Sequence, residues 1–95
     1  MSDWVFADAP DVAVLTTQPV LDGQQPILFV SHDVEDGLWQ FLEGEAIDET
    51  TVLHVALAEL VARDPALVEL ARLPLGWQAR RRELDAPWSM YPRCC

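Results

Sequence analysis

The stretch Gly37-Leu38-Trp39-Gln40-Phe41-Leu42-Glu43-Gly44-Glu45, with the apolar run behind it that reaches Leu73, constrains the fold of this 95-residue chain more than any other part. Up to Leu42 the large side chains recur every second residue, so an extended segment puts Trp39 and Phe41 on one face. Beyond Gly44 the spacing changes. Leu53, Ala56, Leu57, Leu60 and Val61 fall at i, i+3, i+4, i+7 and i+8, the stripe of a helix buried on one side. A strand that hands over to an amphipathic helix predicts a sheet with helices layered on it.

On the N-terminal side, Val12-Ala13-Val14-Leu15-Thr16-Thr17 is apolar and rich in β-branched residues and predicts a first strand, ended by Pro19. Asp22-Gly23 predicts a hairpin turn into a second strand at Ile27-Leu28-Phe29-Val30-Ser31. The polar turn from His32 to Gly37 then leads into a third strand, Leu38 to Leu42, to complete a meander. On the C-terminal side, Asp48 predicts an N-cap and Glu49 a first-turn anion for a long helix, with Glu59 and Arg63 as an i,i+4 pair on its outer face. Asp64-Pro65 repeats the start signal for a short second helix through Leu67, Leu70 and Arg72, stopped by Pro74. Leu75-Gly76 is a turn, and residues 77–84 predict a fourth strand at a sheet edge, followed by an irregular tail around Pro87-Trp88 and Tyr91-Pro92.

The expected fold is therefore α+β: a three- to four-stranded, mainly antiparallel sheet with one long and one short helix packed on one face. Residues 1–95 form a single domain, with an N-terminal arm at 1–11, the strand meander at 12–45, the helices at 48–73, and the edge strand and tail at 76–88. A chain of this length has material for one modest core.

Charge is unevenly placed. Residues 1–62 hold twelve Asp or Glu and no Lys or Arg, whereas residues 63–95 hold four acids and six Arg, which divides the net charge of −10 into −12 and +2. Such an acidic chain repels nucleic-acid phosphate and anionic lipid and steers a basic protein partner toward itself. Arg80-Arg81-Arg82 with Trp77 and Trp88 resembles a basic, aromatic nucleic-acid patch. On a strand, however, Arg81 points away from Arg80 and Arg82, and the net charge opposes any polyanion, so no nucleic-acid partner is expected. No run of 18 apolar residues is present and Met1-Ser2-Asp3-Trp4 has no signal-peptide character, which predicts a cytoplasmic protein with no membrane partner. Cys94-Cys95 has no distant Cys to pair with and reads as a frayed tail.

His32-Asp33 with His54 is the only combination that suggests catalysis or a metal, and its spacing is that of neither a zinc site nor a triad. No catalytic residue, metal or cofactor is expected. Trp39 reads as core, while Trp88, beside Pro87 and near Met90 and Tyr91, reads as a contact residue, because interface centres favour Trp, Tyr and Arg. With Trp88, the candidate partner-binding residues are the acids Asp33, Glu35 and Asp36 of the turn, and Glu43 and Glu45 around Gly44.

The order Asp36-Gly37, Trp39, Phe41, Gly44-Glu45, a helix, Asp64-Pro65, Leu67, Leu70, Leu73-Pro74, Gly76, Arg80 and Trp88 resembles a family of small bacterial α+β domains of unknown function. Those domains are predicted to act as immunity proteins of polymorphic toxin systems. The resemblance spans residues 12–88 and implies a non-enzymatic protein that binds and neutralises a cognate toxin; separately, a monomer or homodimer is expected. Two other classes stand beside it: a small-molecule-binding or enzymatic domain using His32, Asp33 and His54, and a self-associating structural subunit that buries Trp88 and the aromatic N-terminus against another copy.

Overall fold

The computed structural model describes residues 4–35, 37–46 and 48–92, so Asp36 and the Cys94-Cys95 pair lie outside it. Its elements are β1 (Ala13–Thr17), α1 (Gln18–Leu21), β2 (Phe29–His32), β3 (Trp39–Leu42), a 3₁₀ turn (Glu49–Thr51), β4 (Val52–Ala56), α2 (Leu57–Arg63), a second 3₁₀ segment (Pro65–Leu70), β5 (Trp77–Arg80) and β6 (Ser89–Pro92). The strands form one six-stranded sheet in the order β4-β1-β3-β2-β5-β6, with β1 and β3 parallel and every other neighbouring pair antiparallel.

This mixed sheet of six replaces the expected meander of three or four strands. β1 and β2 are not neighbours, because Pro19, with its missing N–H and fixed φ, opens α1 directly after β1. The chain then passes to β2 and returns through the β2–β3 hairpin, which lays β3 beside β1. The hairpin turn closes with Gly37 at φ 71° donating its N–H to the Asp33 carbonyl at 2.9 Å. That backbone region is open to glycine and costs other L-residues about 1 kcal/mol.

The expected long helix is absent. Asp48 does act as a cap, accepting from the Thr50 N–H at 3.0 Å, but it caps a 3₁₀ turn, after which Val52–Ala56 is extended against β1. Val52 and Val55 are β-branched and lose more side-chain freedom in an α-helix than in a strand, and the open side of β1 offers them a ladder. Helix begins at Leu57, and among the described residues α2 is the single helix of seven residues or more. The expected second helix is a 3₁₀ segment whose start is capped as the sequence suggests, with the Asp64 carboxylate accepting from Ala66 N at 3.2 Å. β5 is interior, not an edge, because the expected irregular tail contributes β6 as its outer neighbour.

Register fixes which side chains share a face. Val14, Thr16, Val30, His32, Trp39, Phe41, Trp77 and Ala79 lie on one side, since Val30 stands opposite Phe41 and Ala79, and His32 opposite Trp39 and Trp77. That side meets Val20 of α1, Leu57 and Leu60 of α2, Leu67 and Leu70 of the 3₁₀ segment, and Phe6 of the arm in one core. Phe41, Leu57, Leu60, Leu67 and Leu70 have no exposed surface. Each side chain of this kind contributes about 1.5–3 kcal/mol by leaving water.

Most buried polar groups on this side are satisfied, the indole N–H of Trp88 being the exception among the described residues. Thr16 Oγ1 donates to the Phe41 carbonyl at 2.7 Å. The arm is pinned by Trp39 Nε1 donating to Asp8 Oδ2 at 2.6 Å and Trp4 Nε1 donating to the Asp8 carbonyl at 2.7 Å. Phe6 then stands edge-on to Trp39 at 5.5 Å between ring centres, a favourable arrangement of two ring quadrupoles.

Candidate functional site

The opposite side of the sheet carries Ala13, Leu15, Gln40, Ser31, Gln78 and Arg80. The registers His54–Leu15, Leu15–Gln40, Gln40–Ser31, Ser31–Gln78 and Gln78–Tyr91 run as one continuous row across all six strands. The helical residues of the core pack against the other side. Along the row lies a shallow hollow of about 350 Å³ lined by Phe29, Ser31, Asp33, Glu35, Gln40 and Gln78. It is organised on the half-buried Asp33 carboxylate, which accepts from Ser31 Oγ at 2.7 Å and from Gln40 Nε2 at 2.5 Å. Glu35 is exposed at its rim.

The remaining candidate acids lie at the far end of β3. Asp33 stands opposite Leu38, with its N–H on the Leu38 carbonyl, so Glu43, five residues on, is roughly 16 Å away along the strand. Glu43 accepts from Thr17 Oγ1 at 2.8 Å, and Glu45 is ion-paired to Arg80 with both side chains about half exposed. Arg80 also lies over the Phe29 ring, 5.9 Å from its centre. These two acids tie the 43–46 loop to β1 and β5, at an end of the sheet where Thr17, Phe29 and Leu42 are buried. Asp36 is outside the described residues.

Trp88 joins neither group. It is half-buried, packs on the core, and lies over Arg81, whose guanidinium carbon is 4.3 Å from the ring centre. Arg81 continues the inward alternation of Trp77 and Ala79, and its side chain has no exposed surface. The guanidinium donates to the carbonyls of Ile27 (2.9 Å) and Leu84 (3.0 Å) and is ion-paired to Asp64, itself 12% exposed. The sequence carried a signal for this, because a strand beginning at Trp77 points Trp77, Ala79 and Arg81 the same way. Beside the pair is a hollow of about 300 Å³ lined mainly by Val20, Ile27, Leu60, Arg63 and Leu84.

His32 and His54 are not brought together. His32 faces the helices, stacked on Trp39 at 3.9 Å, and its Nδ1 donates to the Leu73 carbonyl at 2.8 Å. His54 is exposed on β4 and faces the other way, three strands along the sheet, which is roughly 14 Å. Among the described residues no three His, Cys, Asp or Glu side chains converge as metal ligands would, and no helix is long and apolar enough to cross a membrane.

The charge asymmetry of the sequence becomes spatial here. Residues 1–62, which contain no Lys or Arg, supply β1, β2, β3 and β4, the contiguous β4-β1-β3-β2 end of the sheet. The Arg triplet lies at and beyond the end of β5. Comparison with family models, with curated proteins and with solved structures returns no match to this chain.

Proposed function

We propose that the protein is a non-enzymatic binding module for a basic protein, of the type the sequence resemblance implies: an immunity protein that neutralises a cognate bacterial toxin in the cytoplasm. The observation that carries this reading is the cation-free stretch 1–62 folding into one contiguous end of the sheet, where among the described residues Glu45 and Glu59 are ion-paired to Arg80 and Arg63 of the later chain and most other acids show no such pair. An extended acidic surface accelerates encounter with a basic partner and penalises acidic competitors, and a nuclease toxin presents such a basic cleft. Within that surface Glu35 is the candidate acid most available to a partner, since it is exposed. Glu43 and Glu45 already have partners in Thr17 and Arg80.

Affinity capture from the native cell, identification of the bound protein and titration of the complex with salt test the reading. A basic partner whose affinity falls steadily with ionic strength is expected, because exposed charge pairs are screened over about 10 Å at 0.1 M salt. Recovery of no partner, or of one indifferent to salt, overturns it.

A further inference from the structure

The two edges of the sheet are built differently. β6 ends on Pro92, follows Pro87 closely, and so presents a broken row of donors. β4 is Val52-Leu53-His54-Val55-Ala56, with no charge, no proline and five residues paired in unbroken register to β1. Natural sheets blunt a free edge with Lys, Pro or a bulge, and β4 has none of these.

Hydrogen-bond alternation shows what this edge offers. Leu57 N–H donates to the Val12 carbonyl at 2.9 Å, one step beyond the Ala13–Ala56 pair. In an antiparallel ladder the bonded positions alternate, so Leu53 and Val55 turn their backbone groups toward β1, and Val52, His54 and Ala56 turn theirs outward. Val52 N–H is taken by the Glu49 carbonyl, and the Ala56 carbonyl opens α2. Among the described residues, the outward set is then the Val52 carbonyl, the His54 N–H and carbonyl, and the Ala56 N–H. This is the complement that one added antiparallel strand would meet with four hydrogen bonds.

From this edge we infer that the basic partner docks by adding a strand to β4, an inference that rests on the reading under Proposed function. The charge around the edge selects the occupant. Exposed Asp48 and Glu49 stand at its start, and exposed Asp11 and Glu59 at its end, with Arg63 the nearby base, 3.7 Å from Glu59. A second copy paired about His54 would bring Glu49 of each chain toward Glu59 of the other, like charge to like, between two molecules of net charge −10. An extended segment with small apolar residues at its centre and Lys or Arg at both ends meets a neutral strand in the middle and acids at each end.

The test uses the full chain and a synthetic capped peptide, Lys-Lys-Val-Thr-Val-Lys-Lys, with a scrambled peptide of equal charge and a version N-methylated at the central Thr as controls. Amide hydrogen exchange at His54 and Ala56 slows about tenfold or more at saturating peptide, since both N–H groups pass from water into a ladder. N-methylation of the peptide weakens binding about tenfold, and His54→Pro, which removes an outward N–H without touching the ladder to β1, does the same, whereas His54→Ala does not. Binding that is weakened by Gln40→Ala and Gln78→Ala, with no slowing of exchange at His54 and Ala56, overturns strand addition and leaves the basic-partner reading standing. Unweakened binding of the N-methylated peptide also overturns strand addition alone. Failure of both unmodified peptides to bind overturns the two together. Slowing of His54 exchange with protein concentration alone assigns the edge to a second copy and overturns the proposal.

Discussion

The two sides of the sheet use the same strands for opposite purposes. On one side Val14, Val30, Trp39, Phe41 and Ala79 are sealed under α1, α2 and the 3₁₀ segment. On the other, Leu15, Gln40, Ser31 and Gln78 form a row of which Gln40 and Ser31 donate to the Asp33 carboxylate. Gln40 sits between Trp39 and Phe41 in the chain, yet belongs to the other side. The aromatic stretch is thus a boundary whose alternate residues serve stability and surface chemistry separately. The stretch was therefore informative about the fold and silent about the partner.

Truncating neighbours on opposite sides separates their two roles. Phe41→Ala leaves a cavity in a fully buried site and is expected to cost about 3–5 kcal/mol, read as a lower urea midpoint. Gln40→Ala, one residue away, loses one hydrogen bond to Asp33 and is expected to cost about 1 kcal/mol. Equal losses would show that the second side is also a core.

A comparable effect is expected at the one place where charge enters the covered side. Arg81→Met strands the Asp64 carboxylate with little solvent and should cost about 3–5 kcal/mol. Adding Asp64→Ser removes that charge while leaving an oxygen to cap Ala66, so the double variant should recover most of the loss in thermal melts. No recovery would mean that the guanidinium matters through its stacking under Trp88 and its two carbonyls, not through its ion pair.

The smallest effect concerns the exposed start of β4. Hydrogen bonds from the Thr50 side chain and backbone hold the Asp48 carboxyl below its ordinary value of 3.8. A depressed folded-state value contributes stability that is complete above the unfolded value and is lost as pH falls through the folded one. A slight loss is therefore expected below about pH 4. It should be absent in Asp48→Asn, which keeps a capping oxygen, when the two proteins are compared by denaturation across that range.

What was legible in the sequence follows the same physics. Trp39–Leu42 could be assigned because alternation is strong where one side is buried and the other polar. Asp64-Pro65 could be placed as a start because a cap and a fixed φ act locally. Val52–Ala56 fits a helical stripe through Leu53, Ala56 and Leu57 as well as a strand, because this edge strand is half-buried at every position but His54 and shows no alternation. Thr50, Thr51, Val52 and Val55 were the contrary signal. The place of β1 could not be read from Asp22-Gly23, since its partners are chosen by distant strands and not by the turn that follows it. Among the candidate site residues, Asp33 and Glu35 do share one hollow, while Glu43 and Glu45 are used to tether a loop and Trp88 to cover Arg81. A net charge counts acids without saying which already have partners.

The position of β1 has a consequence for how the molecule assembles. Its two neighbours are β3 and β4, so the first strand made has no ladder to join until Trp39–Leu42 and then Val52–Ala56 follow it. The β2–β3 hairpin closes a short loop, whereas seating β1 requires the ends of much longer ones to meet. Folding should therefore be slower than the chain length alone suggests, with the hairpin formed early and the β1 ladder late in the transition. In that interval the segment Ala-Val-Leu-Thr-Thr is an unclaimed apolar strand, and during synthesis it waits for some forty further residues to emerge before its second partner exists.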